Sequence, residues 1–184
     1  MKIIETAIHG SYVIESESFV DERGDLREWF REEELIKYGL ELNPTQANIS
    51  KSKRGVIRGI HYSVNSKDQN KYVTCLNGMI LDYLIDLRQR SSTFLKKQKI
   101  ELDYEKKQSI FIPHGVGHAF QSLVDNSIVL YALSSTFSPD KEHSINPLDP
   151  ELAFEWPISD VILSKKDVES RNFAEMLKLG LLPK

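Results

Sequence analysis

Apolar positions along this chain recur mostly with a period of two, in short runs cut by turn residues. That alternation, rich in β-branched and aromatic residues, predicts strands over 11–16, 25–30, 45–51, 55–63, 71–76, 79–87, 99–104, 109–113, 118–124 and 127–135. Asn77-Gly78 is the strongest turn signal and predicts a two-residue hairpin between the strands on either side. Asp125-Asn126 predicts a second tight turn. Helical spacing is sparse. One short helix is expected over 31–38, stopped by Gly39. Another is expected from Asp167 to a C-cap at Gly180, with Phe173, Met176 and Leu177 on its apolar face. Many short antiparallel strands at this spacing predict an all-β sandwich or barrel, with a double-sheet jelly roll open enough to hold a ligand as first choice. No repeat, low-complexity tract or linker divides residues 1–184, so one domain is expected.

The same alternation singles out polar residues within the strands. In MILDYLIDL (79–87), Ile80, Asp82, Leu84 and Asp86 share one face, and a buried carboxylate there needs a partner. Asp86 taken alone fits a solvated face equally well. Lys71 starts the neighbouring strand, and pairing across the expected hairpin brings it near Asp82. In GVIRGIHYS (55–63) strict alternation separates Arg58 from His61; a bulge at Gly59 aims both at one cavity. In IPHGVGHAF (112–120) a Pro113–Gly115 turn delivers His118 to the start of a strand. Tyr131, in SIVLYAL, reads on propensity alone as a packed aromatic with a bonded hydroxyl.

Composition narrows the picture further. The 184 residues are 40% hydrophobic and 28% charged, as in an ordinary globular domain, and the net charge of −3 gives no overall field for nucleic acid. Cys75 is the single cysteine, so no disulfide and no cysteine-rich metal site is expected. No apolar run approaches a membrane span, and MKIIETAIHG lacks the apolar core of a secretory signal. A cytoplasmic location is the expectation.

The P-x-G-x-x-H pattern at Pro113, Gly115 and His118 resembles the second motif of the cupin superfamily. Metal-binding cupins carry H-x-H in the first motif, where this chain has His61-Tyr62-Ser63; no metal and no cofactor is therefore expected. Eight segments in order, from FVDERGDLREWF through QANISKSKRGVIRGIHY, KYVTCLNG, DLRQRSSTF, PHGVGHAF, VLY and DPELAFEWP to LSKKD, resemble the dTDP-4-dehydrorhamnose 3,5-epimerase family, metal-free sugar-nucleotide epimerases of that superfamily. The resemblance implies His61 as general base and Asp167 as its carboxylate partner. It implies Tyr131 as general acid and Lys71 as the cation for the enolate oxygen, with His118 and Asp82 orienting them. Arg23 and Arg58 are implied diphosphate contacts, and Gln46, Asn48, Glu28 and Phe19 nucleoside contacts. A nucleotide-sugar substrate and a homodimer paired through N-terminal strands follow from the same resemblance. Ser63, Thr136-Phe137 and INPLDP depart from the family's commoner residues, which leaves open the nucleotide and whether C3, C5 or both are inverted. A metal-dependent cupin enzyme and a non-catalytic sugar-nucleotide binder are the competing readings.

Overall fold

A computed structural model describes residues 1–64 and 69–184. Thirteen strands and three short helices follow one another among these residues. They are β1 (Lys2–Glu5), β2 (Tyr12–Glu15), β3 (Ser18–Asp21), β4 (Gly24–Arg27), α1 (Glu32–Ile36), β5 (Gln46–Ser52), β6 (Ile57–Ser63) and β7 (Lys71–Asn77). Then come β8 (Met79–Asp86), β9 (Lys97–Asp103), β10 (Gln108–Ile112), β11 (Val116–Ser122), β12 (Ser127–Leu133), β13 (Glu142–Ser144), α2 (Lys165–Val168) and α3 (Phe173–Lys178). All ladders between these strands are antiparallel.

A six-stranded sheet (β1-β2-β10-β7-β12-β5) packs on a five-stranded one (β13-β6-β11-β8-β9), and β3-β4 form a separate hairpin. From β5 to β8 the chain changes sheet with every strand, which is the jelly-roll alternation. Between the sheets lies a core that includes Val73, Ile80, Leu84, Leu102, Ile110, Phe120 and Val129. The outer faces are covered too. Phe173 and Met176 of α3 close over Ile60, Tyr62, Ile85 and Leu87. Leu35 of α1, with Leu40 and Leu42, closes over Ile14, Tyr72 and Phe111. Coverage on both sides explains why β8 is buried nearly end to end: its even positions face the inner core and its odd ones the outer cover.

The expected architecture and most strand positions hold, with instructive exceptions. Asn77-Gly78 is not a hairpin. β7 pairs with β10 and β12, β8 with β9 and β11, so the turn is a corner between sheets. Gly78 does take positive φ (75°), and a Cβ there would come within 2.7 Å of Ser127 Oγ. Lys71 and Asp82 therefore meet across the interior rather than along a ladder. Asp125-Asn126, with Asn126 at φ 61°, is a second corner of the same kind.

The strand expected over 25–30 stops at Arg27. There the guanidinium turns onto the six-stranded sheet, donating to Thr74 Oγ1 (3.2 Å) and Ser109 Oγ (3.0 Å), while Trp29 and Phe30 pack on Tyr72. The C-terminal helix is two pieces: α2 carries Asp167, and α3 restarts behind the Asn172–Glu175 capping box and ends before Gly180. Leu177 lies exposed. Asp86, equally readable as solvated, has no exposed surface.

Candidate active site

Strands of both sheets border a cavity of about 420 Å³, lined by His61, Arg58 and Ile57 from β6, Lys71 from β7, His118 and Phe120 from β11, Tyr131 from β12 and Ser50 from β5. One wall is the segment Ile162–Asp167. A second chamber of about 230 Å³ shares His61, Lys71 and Tyr131 and adds Gln46, Asn48, Gln69, Phe137 and Glu142.

The expected bulge in β6 is present. His61 opposes His118, but Arg58 opposes Phe120, so three residues of β6 span the length of two on β11. Gly59 occupies the irregularity with φ 129°, and a side chain there would come within 2.6 Å of the Ala119 Cα and the His118 carbonyl. The shift puts Arg58 and His61 on one cavity. Arg58 Nε donates to Ser52 Oγ at 3.1 Å, which steers the guanidinium along that wall.

Each imidazole is held by a carboxylate. His61 Nε2 donates to Asp167 Oδ1 at 2.7 Å, which fixes the proton on Nε2 and leaves the lone pair on Nδ1. Asp167 reaches this place because Ile162 pairs with Val56 beside β6 and Ser164 then caps α2. Ser164 Oγ donates to Asp167 Oδ2 at 2.8 Å. Burial acts to raise the Asp167 pKa, but the bonds from His61 and Ser164 outweigh it and leave the carboxyl below its ordinary value. His118 Nε2 donates to Asp82 Oδ2 at 2.7 Å. Asp82 lies behind His118 with no exposed surface, and its Oδ1 has no hydrogen-bond partner among the described residues. Burial raises its pKa against the pull of His118 and Lys71.

Lys71 is only 8% exposed; burial lowers its pKa, while Glu142 and Asp82 resist that fall. Tyr131 sits opposite Asn48 in the β12–β5 register and hydrogen-bonds to it. Burial raises the phenol, and Arg58 and the Asn48 bond partly offset the rise. A cavity so lined holds proton donors and acceptors on walls from both sheets, with a buried lysine among them. No group of three or more His, Cys, Asp or Glu suited to a metal occurs among the described residues.

The structure thus brings His61, Lys71, His118, Tyr131, Asp167 and Arg58 to one cavity, with Gln46 and Asn48 in the adjoining chamber and Asp82 behind His118. Phe19, Arg23 and Glu28 do not join them within this chain. Phe19 is 65% exposed on the β3–β4 hairpin, Arg23 pairs with Asp21, and Glu28 with Arg31. Sequence reasoning missed Gln69 and Glu142: neither lies in a run with strand periodicity, so no local signal marked them. Ser164 carried one, the Ser-x-x-Asp cap.

Fold and site together define a cupin-like jelly roll built for acid–base work on a small ligand. Residues 5–175 match the family model described as dTDP-4-dehydrorhamnose 3,5-epimerase. The chain belongs to this family of carbohydrate epimerases. It is 36% identical over 179 residues to a dTDP-4-dehydrorhamnose 3,5-epimerase of Streptomyces griseus, covering 96% of this chain and 89% of that one. The solved rmlC epimerase of Mycobacterium tuberculosis superposes with a TM-score of 0.95 at 36% identity, over 100% of this chain and 94% of the other. ChmJ of Streptomyces bikiniensis, a 3'-monoepimerase solved with dTDP-quinovose, gives 0.93 at 37% identity, over 98% and 92%.

Proposed function

We propose that this chain inverts C3, C5 or both of a dTDP-linked 4-keto-6-deoxyhexose. The observation that carries the reading is that His61 of one sheet and Tyr131 of the other line one cavity, together with buried Lys71. A C–H next to a ketone yields its proton only if the oxyanion that develops meets a preorganised positive group. In this reading His61, oriented by Asp167, takes the proton through Nδ1. Lys71, with His118 nearby, stabilises the enolate oxygen. Tyr131 returns a proton to the opposite face, so the stereocentre inverts. Inversion needs two different acid–base groups, and groups on facing sheets flank a sugar ring in a way that ladder neighbours cannot. Arg58 suits the diphosphate, because an arginine fork matches its oxygens. Gln46 and Asn48 suit the nucleoside.

The reading includes a homodimer. The β3–β4 hairpin exposes Phe19, Val20 and Leu26 at 65%, 75% and 71%, and β5 is an edge strand with Ile49 at 67%. A soluble chain covers such surfaces. A second copy that does so also offers Phe19, Arg23 and Glu28 to a neighbouring cavity, which the hairpin of the same chain leaves without them.

The test is solvent-proton exchange. Incubated in deuterium oxide with dTDP-4-keto-6-deoxyglucose, the protein is expected to put deuterium at C3, C5 or both, read by NMR, and His61→Ala is expected to abolish it. Labelling at C3 alone makes the chain a mono-epimerase. A folded wild-type protein that labels neither carbon ends the proposal.

A further inference from the structure

Lys71 enters the cavity from the first residue of β7, where its ladder neighbours are Ile112 on β10 and Leu133 on β12. Both are buried and apolar, so its own sheet supplies no counter-charge. Among the described residues it closes no salt bridge. A lysine so placed loses the water that favours its charge and drifts toward the neutral amine. A neutral amine donates a hydrogen bond but cannot balance an enolate.

The opposing charges come from the facing sheet. Asp82 on β8 accepts from His118 through Oδ2, which shares its charge between that imidazole and Lys71. Glu142 opens β13, in register with Ser63, and lines the same chamber as Lys71, His61 and Tyr131. Its carboxylate accepts a hydrogen bond from the Gln69 side chain. Gln69 is itself 4% exposed and stands two residues before Lys71, so the carboxylate is tied to the segment that delivers the lysine. Of the two carboxylates, Glu142 acts more strongly on Lys71. The other charged or titratable groups facing the cavity and its adjoining chamber are Arg58 and His61 of β6, His118 of β11, Tyr131 of β12, His143 of β13, and Lys166 and Asp167 of α2. Arg58 and Lys166 oppose a further positive charge, and Asp167 is held by His61.

We propose that Glu142 is a positioning residue for the epimerisation: anchored by Gln69, its carboxylate keeps Lys71 an ammonium turned toward the developing enolate. The inference rests on the reading of Lys71 as the enolate's cation. Removing the charge of Glu142 lets the Lys71 pKa fall further, so turnover is lost at a lower pH on the alkaline side.

The test follows kcat and KM across pH for wild type, Glu142→Gln, Glu142→Asp and Lys71→Ala. Glutamine keeps the shape and an acceptor for Gln69. Its alkaline limb in kcat is expected to move down by about one pH unit, a tenfold loss there. At the acid end its kcat stays within about twofold of wild type and KM within about threefold. Glu142→Asp restores most of the limb. A kcat lowered equally at every pH, or a loss confined to KM, overturns the proposal, because either means that the carboxylate touches substrate or only supports the loop. An inactive Lys71→Ala beside an unmoved limb in Glu142→Gln sinks this proposal and leaves the role of Lys71 standing. A fully active Lys71→Ala removes that role and the proposal with it. Should Glu142→Gln fail to fold, Gln69→Leu frees the carboxylate without deleting it. It is expected to shift the limb the same way by less, and an unmoved limb there is equally fatal.

Discussion

Asp82, Asp86 and Asp167 are one side chain in three surroundings, and the surroundings assign their work. Asp86 accepts from Arg88 Nε and Nη2 at 2.8 Å each, from the Arg88 backbone N–H at 3.0 Å, and from the Ser91 and Thr93 hydroxyls at 2.6 Å each. Burial acts to raise its pKa, but these donors outweigh burial and the net shift is downward. Saturated with donors and absent from the cavity lining, Asp86 can only be structural. Asp82 has one imidazole and an oxygen without a partner, and its pKa is raised. Fewer donors offset the burial of Asp82 than offset that of Asp86. Asp167 lies between these extremes, ionised readily and holding one tautomer of His61. Asp86→Ala strands the Arg88 fork and two hydroxyls, and is expected to cost about 3–5 kcal/mol in denaturant unfolding. Activity per folded molecule is expected to stay unchanged. Because the folded pKa of Asp86 is depressed, its contribution is present above the unfolded value and lost as pH falls through the folded one. The gap between variant and wild type is therefore expected to close in acid. A gap that persists there, or a loss below about 1 kcal/mol, contradicts this account.

At the level of elements, β6 shows what a sequence can reveal about a site. Two glycines around an arginine, in a strand where alternation would part Arg58 from His61, were enough to predict the bulge, because only glycine admits the backbone approach that β11 makes at Ala119. Gly59→Ala is expected to cost at least about 2 kcal/mol through positive φ and overpacking. It is also expected to depress kcat more than the stability loss accounts for, by turning His61 away. A stable variant with full kcat removes the register argument. The same local logic failed at Asn77-Gly78. The dipeptide reports a turn, but whether a turn joins ladder partners or opposite sheets depends on contacts such as Gly78 with Ser127, some fifty residues downstream, which no window around the turn contains. It failed also at β13: three residues, half-buried and without alternation, owe their strand state wholly to pairing with β6. Glu142 rides on that strand, so the cavity was legible in its periodic walls and illegible in its polar rim.

On the scale of the whole molecule, the question is why three of the sequence's own candidates lie outside the cavity. Phe19, Arg23 and Glu28 sit on or just after a hairpin that belongs to neither large sheet, and the hairpin shows solvent a row of apolar side chains. In the proposed two-fold dimer each arm serves the other's cavity, and its apolar side chains are covered. The consequence is quantitative. In that proposed dimer Arg23→Ala and His61→Ala disable a shared site from different subunits, so each homodimer is expected to be nearly inactive. In a hybrid dimer one site collects both lesions and the other receives Phe19, Arg23 and Glu28 intact beside an intact His61. Unfolding and refolding the two variants together in equal amounts makes half the dimers hybrid, each with one good site, and activity is expected to return to about a quarter of wild type. If both residues serve the same subunit's cavity, no mixture regains activity, and the shared site goes. Sedimentation of the wild type separates the cases further: a monomer that turns over normally leaves the arm without its partner and the dimer without support.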